Sequence, residues 1–274
     1  MAGGRWSRAG PEGPTGEDRL STIEFIEFAL IGIALGVSLG LFGGGGGILA
    51  IPLLVAAGIP TDEAGTTSLV VVGIGAIGGL INHARAGRVA WRKGVLFSAL
   101  GAVGALSGSR LALLTDDAVQ LWGFAVVLIV AGSLMLRKSL RQNTDSNPHT
   151  RKPWWLLVLT ALVVGLFTGF FGVGGGFLIV PALTLVVGMP VRVATATALL
   201  VIVINSAAAM IPRAGEALDV TASIVVAVAA VVTTFLAARW SNRWSARSLG
   251  IGFGVLVLVM AAVTAYEAWS LGAA

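Results

Sequence analysis

The sequence predicts an all-α polytopic membrane protein made of two homologous halves. Three observations predict it: apolar windows of membrane-spanning length, a glycine- and proline-rich motif that occurs twice, and basic residues gathered in a few loops. Hydrophobic residues make up 56% of the 274-residue chain and charged residues 11%, against roughly 25% charge in an average soluble domain. Several windows run about 18 residues or more almost without charge, enough to cross the hydrocarbon core of a bilayer.

Taken in order, residues 1–20 are polar and rich in Gly, Pro and charge. They lack the early apolar core and cleavage site of a signal peptide and are expected to form a disordered tail. A first repeat, 21–136, holds apolar segments Ile23–Phe42, Ile48–Ala57, Ala64–Ile81, Gly94–Leu114 and Ala118–Leu136. A basic linker, 137–153, follows and contains Asn147-Pro148. The second repeat, 154–274, holds Trp154–Phe171, Phe177–Val187, Ala194–Ile211, Val220–Ala238 and Leu249–Ala268. The second segment of each half is short. About ten residues of helix span about 15 Å, half the hydrocarbon core, so these two read as broken or re-entrant half-helices. Seven of the eight tryptophans (Trp91, Trp122, Trp154, Trp155, Trp240, Trp244 and Trp269) stand at segment ends or in loops, as an interfacial aromatic belt does.

The repeat is explicit. Gly36, Gly40, Gly43, Gly45, Gly46, Gly47 and Pro52 align without gaps on Gly165, Gly169, Gly172, Gly174, Gly175, Gly176 and Pro181. Ile59-Pro60 then matches Met189-Pro190, Thr67 matches Thr197, and Arg110 falls opposite Arg239. Short segments interrupted by Gly and Pro at corresponding places in two halves point to a transporter's binding site.

Charge sets the expected topology. Arg85, Arg88, Arg92 and Lys93, then Arg137, Lys138, Arg141, Arg151 and Lys152, then Arg239, Arg243 and Arg247 mark three cytoplasmic loops. The loop with Asp116 and Asp117 is acidic, and the one with Arg213, Glu216 and Asp219 is balanced. Corresponding loops of the two halves therefore prefer opposite sides. That requires an odd number of crossings per half, hence a 5+5 inverted repeat with both termini outside. Parallel halves of four spans and a re-entrant loop would place Arg239, Arg243 and Arg247 outside, against the rule.

At these residues the sequence resembles the TauE/SafE sulfite-exporter family of membrane permeases. The doubled glycine run with its proline carries the resemblance, each copy followed by a short apolar stretch and an Ala-x-x-Thr segment. It covers nearly the whole chain after the first 20 residues. The resemblance implies a secondary transporter, an exporter, of sulfite, thiosulfate, an organosulfonate or a related anion, in the bacterial inner membrane.

The chemistry of the residues fits such a solute. An anion leaving water needs donors in place of its hydration. A glycine run can turn backbone N–H groups toward a ligand, and a helix that starts just after it adds its positive dipole end. Gly45, Gly46 and Gly47, and Gly174, Gly175 and Gly176, stand in that order before the half-helices. Gly36, Gly40, Gly165 and Gly169 instead have the spacing of close helix packing. Thr66, Thr67, Ser68, Thr195 and Thr197 offer hydroxyls to the solute or to the preceding helical turn. Asn205 and Asn82 are intramembrane amides, either solute ligands or interhelical links. Arg110, Arg239 and His83 read as gating or anion-attracting groups, or as interfacial residues that snorkel.

Other classes fit less well. No cysteine is present, which excludes thiolate catalysis and Cys-based metal sites. No Lys-Ser/Thr follows either glycine run, so the nucleotide-loop reading fails. Nothing suggests an enzyme, a cofactor or a metal site, and the scattered basic residues do not form a nucleic-acid patch. A carrier or channel of the same architecture for a carboxylate or a cation is the alternative. The expected partners are a small anionic solute, membrane lipid and a second copy of the chain.

Overall fold

The computed structural model describes residues 22–112, 114–141, 153–171, 176–211 and 219–272. The expected tail, most of the linker, Gly174, Gly175 and Arg213 lie outside the described residues. Among the described residues every regular element is helical. The order is α1 (Thr22–Phe42), α2 (Gly46–Ala56), α3 (Thr61–Arg85), α4 (Trp91–Ala112), α5 (Asp117–Arg141), α6 (Trp154–Phe171), α7 (Gly176–Pro181), α8 (Val191–Met210), α9 (Val220–Trp240) and α10 (Ala246–Gly272). Eight of these are long and apolar enough to cross a membrane, and two shorter apolar helices, Gly46–Ala56 and Gly176–Val186, stand at the expected places.

Local chemistry explains the breaks. Gly43 ends α1 with φ +76°, and its N–H donates to the Leu39 carbonyl at 2.7 Å, a left-handed glycine closing a helix. Gly58 and Gly188, with φ of +91° and +80°, make equivalent turns before Pro60 and Pro190, which lead into α3 and α8. Several helices outrun their apolar segments: α3 continues to Arg85 and α5 to Arg141. Their last turns carry basic side chains, which suit both the helix C-terminus and the headgroup layer.

One irregularity has a sequence origin. Pro52 and Pro181 are 129 positions apart, whereas Pro60 and Pro190 are 130 apart. The second half thus carries one extra residue between these prolines. The structure absorbs it as a π turn, Ala182–Val186, directly after α7; a single π turn is how a helix accommodates one inserted residue.

The long helices pack in pairs: α1 on α9, α4 on α6, α5 on α10, and α3 between α8 and α9. Glycine ladders make the closest approaches. A Cβ on Gly32 would meet Ala229 and Val226, on Gly36 it would meet Ala230, and on Gly40 it would lie 2.6 Å from the Thr234 carbonyl oxygen. Contacts advance together along both chains, so α1 and α9 run in the same direction. On α6, Gly165 abuts the Gly101 carbonyl and Gly169 that of Ala105, so α4 and α6 also run in parallel. Shifting Gly36 and Gly40 forward by 129 positions gives Gly165 and Gly169, and shifting Ala230 and Thr234 back by 129 gives Gly101 and Ala105. The two ladders are therefore the same contact made once from each half. By contrast, Gly132 faces Leu258 and Gly254, while Gly250 faces Ser139 and Met135, so α5 and α10 are antiparallel. Without water to drive burial, such close packing is what holds membrane helices together. The outward faces expose large apolar side chains, among them Leu106, Val228 and Leu236, as lipid contact requires.

Candidate functional site

The glycine turn that joins α1 to α2 is buried among four other elements. A Cβ on Gly43 would lie 2.6 Å from the Thr195 carbonyl oxygen of α8. One on Gly45 would meet Leu256 of α10 at 2.8 Å and Ser38 Oγ at 3.3 Å, and one on Gly46 would meet Leu39 and, at 2.9 Å, the Leu35 carbonyl. Gly176, the first residue of α7, meets the Gly44 carbonyl oxygen in the same way at 2.9 Å. The two half-helices thus begin against each other. Gly45, Gly46 and Gly176 are glycines because backbones and side chains approach closely there.

Gly47 differs. Among the described residues, the one atom near a Cβ built on it is a methyl carbon of Val72 at 3.8 Å. Gly45, the residue before α2, has helical φ and ψ, and no side chain caps the helix. The first-turn N–H groups of α2 therefore lack the side-chain acceptor that most helix starts have. Neither α2 nor the stretch 176–186 carries a charged residue. Within these two segments the backbone dipole is the source of positive field.

The hydroxyls divide. Thr67 is fully buried on α3, five residues before Val72, and its Oγ1 has no hydrogen-bond partner. Ser68 donates to the Gly65 carbonyl at 2.8 Å, one turn back. Thr66 is buried beside it. On α8, Thr195 lies against the Gly43 turn, whereas Thr197 faces α4 and accepts the Ala90 N–H at 3.2 Å. Equivalent threonines of the two halves thus differ: Thr197 closes the start of α4, and Thr67 keeps a buried, unpartnered hydroxyl. Asn205 is half-buried one turn beyond Ile202, the residue a side chain on Gly176 would meet.

The remaining sequence candidates lie elsewhere. Asn82 donates to the Phe235 carbonyl at 3.1 Å and ties α3 to α9. His83 is buried, with Nε2 unpartnered, in the last turn of α3. Arg110 and Arg239 are exposed at the ends of α4 and α9. Among the described residues no group of three or more His, Cys, Asp or Glu residues could hold a metal ion.

Two polar groups near the half-helices were not singled out from sequence. Ser38 is buried on α1 with Oγ unpartnered, beside Gly45. Its signal was present: it stands between Gly36 and Gly40 where the second half has the apolar Phe167. Thr184, also buried with Oγ1 unpartnered, sits in the π turn, and Lys138 of α5 donates to its carbonyl at 2.6 Å.

The profile of the sulfite exporter TauE/SafE family matches residues 28–264. A probable membrane transporter protein of Xylella fastidiosa (strain 9a5c) is 33% identical over 86% of this chain and 93% of its own length. Another, from Xylella fastidiosa (strain Temecula1), is 38% identical over 61% of this chain and 66% of its own. The probable membrane transporter protein YunE of Bacillus subtilis is 26% identical over 67% and 76%. A match of that extent, on eight membrane-length helices and the doubled glycine turn, makes the chain a member of the TauE/SafE sulfite exporter family, a multi-pass membrane transporter.

Proposed function

We propose that the protein exports a small sulfur-containing oxyanion, such as sulfite, thiosulfate or an organosulfonate, across the bacterial inner membrane. The observation that carries this reading is the open, uncapped start of α2 at Gly47, set at the junction of the two half-helices. Backbone N–H groups there replace part of an oxyanion's hydration without a fixed cation, and the unpartnered Thr67 hydroxyl of α3, the helix packed on α2, is the further donor we assign to the path. Binding by neutral dipoles is weak enough to be reversible, which transport needs. The family description, sulfite exporter, supports the choice of solute.

The same proposal includes a 5+5 inverted repeat with the solute held between halves. The reciprocal ladders of Gly36 with Ala230 and Gly165 with Gly101 support it. So does the direction of the helices: α5 and α10 are repeat equivalents and pack antiparallel, as inverted halves require. In a cell negative inside, the membrane potential itself favours anion exit.

Thermal stabilisation of the detergent-purified protein tests the reading. The panel is sulfite, thiosulfate, sulfoacetate, taurine, sulfate, acetate and chloride. A ligand of the folded state raises the melting temperature with its concentration. We expect a rise with one sulfur oxyanion and its loss in Gly47→Val. A rise with acetate alone would overturn the choice of solute.

A further inference from the structure

α5 and α6 make few direct contacts with each other, and a long apolar groove separates them. One part of it holds about 450 Å³ and is floored by Leu178, Pro181 and Ala182 of α7 and the π turn. A second hollow continues it past Phe167 to Trp122 and Phe171. Along α6 the groove follows Leu156 to Phe171, about 22 Å at 1.5 Å per residue. That exceeds the roughly 15 Å hydrocarbon depth of one leaflet.

One end of the groove is strongly basic. Leu134 lines it, and Arg137 and Arg141 stand exposed one and two turns beyond on α5. Lys138 donates to the Thr184 carbonyl at 2.6 Å at the same end. Arg247 of α10 reaches the Leu140 carbonyl at 3.5 Å. Neither α6 nor α10 carries an acidic residue in its first turn, and Trp154 and Trp155 open α6 exposed. The repeat-equivalent helices, α10 and α1, offer the opposite charge. There Tyr266 and Ser270 stand at the positions of Arg137 and Arg141, and the start of α1 carries Glu24 and Glu27.

We propose that this groove seats an acyl chain of an anionic phospholipid whose phosphate is held by Arg137 and Arg141. An apolar groove with cations clustered at one end matches both parts of such a lipid, and basic sites between helices select anionic headgroups. The repeat-equivalent position has no such selectivity. The site is independent of the solute reading, since it lies on the lipid side of α7.

The absence of cysteine makes a direct test simple. A fluorophore is attached to Leu159→Cys, whose side chain lines the groove and is half exposed, and in a second protein to Ile33→Cys on α1. Each is reconstituted in phosphatidylcholine vesicles with increasing brominated phosphatidylglycerol or brominated phosphatidylcholine. At position 159 half-maximal quenching should need about fivefold less of the anionic lipid. Position 33 should show no preference. Arg137→Gln with Arg141→Gln should abolish the preference while the protein elutes and melts as before. Equal quenching by both lipids at position 159 would overturn the proposal. So would absence of quenching in a particle of doubled mass, which would assign the groove to a second copy of the chain.

Discussion

Gly176 stands against the carbonyl oxygen of Gly44, so the half-helix of one repeat starts on the turn that opens the half-helix of the other. A Cβ on Gly176 would be 2.9 Å from that oxygen and 3.0 Å from Ile202 Cδ1, and a backbone atom cannot step aside as a side chain can. Gly176→Val should therefore destabilise the fold by about 1–3 kcal/mol, read as a lower melting temperature in detergent. Gly47→Ala has room among the described residues, the nearest of which, Val72, stands at 3.8 Å. It should melt within a degree or two of the parent, as substitutions away from such contacts do. An unchanged melting temperature for Gly176→Val would show that the half-helix starts are not packed together.

The glycine ladders give a paired prediction. Gly40→Leu and Gly169→Leu press on the carbonyls of Thr234 and Ala105, the same contact made from each half. Both should lose about 1–3 kcal/mol, and by similar amounts. A large loss in one and none in the other would separate the two ladders.

The two repeat-equivalent threonines should behave differently. Thr67→Val replaces a buried hydroxyl that has no partner, so stability should hold or rise slightly while solute-induced stabilisation weakens. Thr197→Val removes the acceptor of the Ala90 N–H and should cost about 0.5–1.5 kcal/mol. Thermal unfolding of both variants with and without solute checks this, and equal stability losses would contradict it.

Topology can be read with single thiols, because the chain has no cysteine. Arg88→Cys and Arg243→Cys should react with an impermeant reagent only after the cytoplasmic face is opened, and Asp116→Cys should react in intact cells. Arg88 and Arg243 on opposite sides would refute the inverted arrangement.

Much of this was legible in the sequence. The doubled glycines and prolines located the half-helices, because a run of glycine weakens a helix and ten apolar residues cannot cross a bilayer. The spacing of Gly36 and Gly40 announced packing, and both lie in the α1–α9 seam. The π turn was written in the change of offset from 129 to 130, although the alignment alone does not say that a helix would swallow the extra residue. The role of each glycine in the run was not legible. Gly43 alone among Gly43 to Gly47 has a positive φ, and Gly47 alone has room, because those properties depend on Thr195, Leu256 and Leu39 arriving from elsewhere in the chain or the fold. Thr67 and Thr197 look alike in sequence for the same reason: only the start of α4 distinguishes them.

The most direct test of the central claim is counterflow of radiolabelled sulfite in proteoliposomes. Vesicles loaded with unlabelled sulfite, thiosulfate, acetate or chloride should draw in label only when loaded with a sulfur oxyanion. Gly47→Val, folded by its melting curve, should abolish the exchange. Exchange driven equally by acetate, or undiminished in folded Gly47→Val, would contradict oxyanion transport through the start of α2.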